Sequence, residues 1–72
     1  MTDSVKTRLT EIEAPYGRRI RLDEVAFESG MKLLRVTIRE GARYTILEID
    51  RVTAAAWARE MAGWAAGADD PR

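Results

Sequence analysis

The side chains that could do chemistry in this chain are few. Two carboxylate pairs, Glu11/Glu13 and Asp23/Glu24, have the residue type for general acid–base work. Ser4 and Ser29 could act as nucleophiles only beside an activating base. There is no histidine and no cysteine, so imidazole activation and thiolate attack are both missing. The usual zinc, copper and non-haem iron ligands are missing with them. Glu11 and Glu13 are matched to arginines on the neighbouring strand in the register derived below, which makes them poor general acids. The five glycines are scattered as turn and cap residues, with Gly63 inside a helix, and form no phosphate loop or dinucleotide motif. The sequence predicts no enzyme, no cofactor and no metal.

Arginine is the more informative residue. Between Pro15 and Arg43 lie Arg18, Arg19, Arg21, Lys32, Arg35, Arg39 and Arg43, against Asp23, Glu24, Glu28 and Glu40, so this segment is seven minus four, or three positive. Arginine interleaved with an aromatic such as Tyr44 on an open sheet can hold a single-stranded nucleic acid through phosphate contacts and base stacking. The whole chain balances 12 basic against 12 acidic residues. That is not the charge of a general nucleic-acid binder.

These side chains need a scaffold, and 72 residues supply one small domain, 1–72. A chain this short buries only about 60% of the surface it exposes when unfolded, so it is marginal without a staple. Disulfides and metals being unavailable, oligomerisation is the remaining staple. No apolar run reaches membrane-span length, and Met1-Thr2-Asp3-Ser4 lacks the features of a signal peptide. A cytoplasmic protein is expected, with loose tails at 1–4 and 68–72.

From Val5 to Ala14 the pattern is a polar edge strand, with charge discouraging aggregation. Pro15-Tyr16-Gly17 reads as a three-residue hairpin loop, a type I turn closed by a left-handed glycine. Setting Ala14 opposite Arg18 places Ile12 against Ile20, Thr10 against Leu22, Glu13 against Arg19 and Glu11 against Arg21. The second strand runs from about Arg18 to Phe27. Ile20 and Leu22 have one parity, Val25 and Phe27 the other. Either a bulge at Asp23-Glu24 turns Val25 and Phe27 into the core, or the hairpin tip is apolar on its other side. Glu28-Ser29-Gly30 repeats the loop form and favours the second version, with Phe27 opposite Met31, Val25 opposite Leu33, Leu22 opposite Val36 and Ile20 opposite Ile38. Met31 to Arg39 is the central strand. Gly41-Ala42 suits a type II′ turn into a last strand, Arg43 to Ile49, with Glu48 beside Arg35. Asp50 is a helix N-cap, and the alanine-rich segment from Arg51 to about Ala66 is the helix, ended by Gly67.

The expected fold is therefore α+β: a four-stranded antiparallel meander with one C-terminal helix packed on one face. Trp57, Met61 and Trp64 share a helix face, and Trp57 and Trp64 read as core residues over Ile38 and Leu47. The opposite sheet face then has no partner within the chain. It carries Val25, Phe27, Met31, Leu33, Tyr44 and Ile46, the expected interface. Arg19, Arg21, Arg35 and Arg39 form an anionic-partner rim around them.

The elements Ala14-Pro15-Tyr16-Gly17-Arg18, Ser29-Gly30-Met31 through Arg39-Glu40-Gly41, and Trp57 in the last helix resemble a family of small bacterial proteins of unknown function. That resemblance implies no activity or site. Four antiparallel strands followed by one helix also resemble the dimeric single-strand DNA-binding transcriptional coactivator domain, whose helix start is similar to Thr53-Ala54-Ala55-Ala56-Trp57. The lysine-rich and glycine-rich binding loop of that family has no counterpart in this chain. The sequence as a whole points to a non-catalytic interaction or accessory protein, a homodimer or a subunit on a larger protein partner. Binding of single-stranded nucleic acid through the Arg/Tyr face is the alternative.

Overall fold

A computed structural model describes residues 4–67, and three hairpin turns set its architecture. Strands β1 (Ser4–Ala14), β2 (Arg18–Phe27), β3 (Lys32–Glu40) and β4 (Arg43–Ile49) form one antiparallel sheet in the order β1-β2-β3-β4. Helix α1 (Arg51–Ala65) follows directly. The four-stranded meander with one C-terminal helix is the α+β class that the sequence predicts. β1 starts at Ser4, one residue before the expected Val5. The expectation of loose tails otherwise concerns residues 1–3 and 68–72, outside the described residues.

Turn chemistry explains the register. At Gly41 φ is +63° while Ala42 is not left-handed, which excludes type I′ and leaves the expected type II′ turn. Around Glu28-Ser29-Gly30, the Gly30 N–H donates to the Phe27 carbonyl at 2.9 Å and the Phe27 N–H to the Met31 carbonyl at 2.8 Å. Gly30 supplies the left-handed residue, φ +97°. The first loop differs from expectation. Tyr16 itself has φ +64°, as does Gly17 at +71°. A left-handed residue straight after Pro15 departs from a type I turn, whose two central residues both have negative φ.

The strand pairs follow. Ile12 meets Ile20 and Thr10 meets Leu22, while Leu22 meets Val36 and Val25 meets Leu33 without interruption in β2. There is no bulge at Asp23-Glu24. The irregularity lies in β1, where Arg8 pairs with Asp23 and Thr10 with Leu22, leaving Leu9 as the extra residue. One inserted residue reverses the facing of everything beyond it. Arg8 and Lys6 therefore share the outer face with Glu11 and Glu13.

The inner face carries two uncharged rows, Ile12-Ile20-Ile38-Thr45 and Thr10-Leu22-Val36-Leu47. The fold class stands, but α1 does not cover these rows. It meets the sheet mainly beside β3, with its root at a shallow hollow lined by Leu9, Glu24, Leu34, Arg51 and Ala54. No residue of α1 is buried. Trp64 is 84% exposed and Leu47 42%, so Trp57 and Trp64 do not close the face over Ile38 and Leu47 as expected. The cause is the connection. Only Asp50, extended at φ −90° and ψ 177°, separates β4 from α1, whereas connections between such elements commonly need 2–6 residues.

The cap itself is as expected. The Asp50 side chain accepts the Thr53 N–H at 2.8 Å, and at the other end the Gly67 N–H reaches the Trp64 carbonyl at 3.0 Å. Hydrogen bonding from the Thr53 side chain, and then from its backbone N–H, holds the Asp50 carboxyl below its ordinary value of 3.8. A carboxyl lowered in the folded state stabilises the helix above that ordinary value, and the contribution is lost as pH falls through the lowered one. Far-UV circular dichroism should show helicity dropping in that acid window, and Asp50→Ala should lower helicity at neutral pH and remove this step. An unchanged acid titration in Asp50→Ala would assign the step to other carboxylates.

Candidate functional site: two uncovered sheet faces

Cross-strand partners share a face, so the pairings assemble each surface directly. On the outer face, register sets Arg8 beside Asp23, Asp23 beside Arg35, and Arg35 beside Glu48. This is one row of alternating charge across all four strands. Arg35 donates to Glu48 Oε2 through Nε at 2.9 Å and Nη2 at 2.6 Å. Asp23 is only 2% exposed, and its oxygens lie 3.8 Å from Arg8 Nε and 3.5 Å from Arg21 Nε. Arg21 Nε and Asp23 Oδ2 are both buried without a hydrogen-bond partner, so this contact is ionic and not a well-formed hydrogen bond.

That row divides the six expected interface residues. Val25, Phe27 and Leu33 lie on one side of it with Met31 at the hairpin tip, while Tyr44 and Ile46 lie on the other side at the β4 edge. Val25 is 3% exposed and Thr37, in the centre of the same face, 5%. Phe27 and Leu33 are half-buried, whereas Met31, Tyr44 and Ile46 are exposed. The buried middle of this face leaves separate apolar corners, at Phe27, Leu33 and Met31 and at Tyr44 and Ile46.

The four rim arginines do share the outer face. Arg19 lies within ion-pair distance of Glu11 and Glu13, at 3.7 and 3.5 Å, Arg21 of Asp23, and Arg35 of Glu48. The Glu11–Arg21 pairing holds for the backbone, but the Arg21 side chain turns to Asp23. Arg39 has no carboxylate within ion-pair distance among the described residues. It donates to the Gly41 carbonyl at 3.1 Å and stands 6.0 Å from the Tyr44 ring centre. Arg19 is directly opposite it.

The inner face is also an open apolar surface. Only Val25 and Val36 are buried apolar residues among those described, and Val36 is the one on this side. Ile12, Leu9, Val5 and Leu47 are all exposed there or at its edge, as are Met61 and Trp64 on α1. The Cα radius of gyration is 14.7 Å, against about 11 Å for a compact domain of this length. Sequence reasoning missed the buried Asp23 and the openness of the inner face. The first had a signal, since pairing Leu22 with Val36 already sets Asp23 opposite Arg35.

Fold and surfaces together define a small α+β sheet protein with unpartnered apolar area on the sheet and on its helix. The chain belongs to a family of unknown function (DUF6967), whose sequence profile matches residues 3–67. No curated protein and no solved structure matches the chain. The likeness to the single-strand DNA-binding coactivator domain is not shown by these comparisons. No described helix is long and apolar enough to cross a membrane.

Proposed function

We propose that this protein is a non-catalytic interaction protein that assembles with a second copy of itself through the inner sheet face. One observation carries the reading: just two apolar side chains are buried among the described residues. A domain's stability is a small surplus of burial over conformational entropy, and so small a core leaves little to provide it. A second copy supplies apolar cover at no cost in new sequence. A cytoplasmic location is part of the proposal and rests on the sequence alone.

Nucleic-acid binding has less to rest on. Three of the four outer arginines already face carboxylates, which leaves Arg39 and Tyr44 as the support for that alternative.

Ile46 and Leu47 are adjacent residues of an edge strand that point to opposite faces, and both are exposed in the single chain, at 59% and 42%. Light scattering should give about twice the 8.1 kDa chain mass for wild type and for Ile46→Glu, and the single-chain mass for Leu47→Glu. The reverse pattern would move the contact to the outer face. A single-chain mass for wild type at every concentration would end the self-association reading.

A further inference from the structure

We infer that the two copies exchange their C-terminal helices, each α1 lying on the inner sheet face of the other chain. The inference rests on the self-association just proposed and adds what fills the interface. Two orphaned surfaces occur in one chain: an uncharged double row on the inner face, and the Trp57–Met61–Trp64 side of a helix with no buried residue. An isolated helix of 15 residues is marginal in water, so α1 needs a surface to lie on.

Its own sheet is closed to it, because the single extended residue Asp50 gives no length to fold back. A short hinge that forbids closure within a chain permits the same contact between chains, the usual origin of a swapped dimer. Two-fold exchange satisfies both surfaces in both copies and leaves no open end.

The sizes agree. A standard interface buries about 1,600 Å² in total, so each of two equal helix-on-sheet contacts needs about 400 Å² from the helix. Trp64, 84% exposed, offers on the order of 200 Å² by itself. Met61 and Trp57, 54% and 36% exposed, contribute much of the rest. Charge is sparse on the contact side. α1 carries only Arg51, Arg59 and Glu60; Arg51 is held at its own sheet by Glu24, 4.0 Å away, Arg59 lies on the far side from Trp57 and Trp64, and Glu60 borders the contact, about 40° around the helix from Trp64.

The test lengthens the hinge. A flexible insertion of several glycine and serine residues between Ile49 and Asp50 should allow α1 to close on its own sheet and convert the dimer to a folded single chain, read by light scattering and circular dichroism. Trp64→Lys, at a position already exposed in the single chain and therefore harmless to its fold, should weaken association at least 100-fold, as loss of a tryptophan anchor does. A wild-type dimer that stays dimeric with both variants overturns helix exchange while the self-association reading stands. A wild type that is a single chain at all concentrations overturns both.

Discussion

Replacing Asp23 with leucine is expected to lower the thermal midpoint by roughly 12–24 °C, although the substitution removes a charge from the interior. Asp23 is 2% exposed, and its register neighbours are Arg8 and Arg35, with Arg21 two positions before it on its own strand. Taking one partner from a buried ionic group costs about 3–5 kcal/mol, because the opposite charge is left without compensation. Arg8 is 57% exposed and can turn to water, and Arg35 keeps Glu48, so the low end applies, about 3 kcal/mol. For a domain of this size each kcal/mol moves the midpoint by about 4–8 °C. Arg21 Nε is the atom that cannot recover, being buried and held only by its contact to Asp23.

The companion experiment separates ion pairing from packing. Arg21→Met combined with Asp23→Leu removes both charges and keeps the volume, so it should lose less than Asp23→Leu alone. Thermal melts of the two variants read the difference. A loss under about 1 kcal/mol for the single variant, the worth of an exposed pair, would mean that water reaches the row in solution.

The charged row also shows where a sequence is legible and where it is not. Pro15-Tyr16-Gly17, Glu28-Ser29-Gly30 and Gly41-Ala42 have turn chemistry that fixes loop length, and loop length fixes register. Ile12 opposite Ile20, Leu22 opposite Val36 and Glu48 opposite Arg35 all follow. A bulge has no such signature. Leu9 is an ordinary strand residue, and the visible trace of its insertion is that Val5 and Leu9 differ in parity from Ile12. Arg8 reaches Asp23 only because of it. The helix illustrates a different limit. Spacing identifies Trp57, Met61 and Trp64 as one side of α1, but periodicity says nothing about whose surface covers that side. The answer depends on the reach of one hinge residue, Asp50. The rim arginines were legible as a group, since strand parity alone collects them. Their carboxylate partners were legible only in part, because a long guanidinium can choose between neighbours, as Arg21 does.

An aspartate at the centre of the other face should have the opposite effect from the one nature placed at position 23. Val36→Asp is expected to abolish the cooperative thermal transition. Val36 is 4% exposed and lies between Leu22 and Leu47 on the central strand β3. Its own row and the adjacent Ile12-Ile20-Ile38-Thr45 row hold no charged residue, so no arginine could do there what Arg8 and Arg21 do for Asp23. A buried carboxylate without a partner costs several kcal/mol. The whole stability available to 72 residues is about 4–11 kcal/mol at typical values per residue. Val36→Ala controls for size, losing two methyl groups for about 2 kcal/mol while keeping a cooperative transition. Circular dichroism melts of both variants decide the matter. If Val36→Asp melted within a few degrees of Val36→Ala, the inner face would have to be wet, and with it would go the reason for a second copy to cover it. The two aspartates differ only in what faces them.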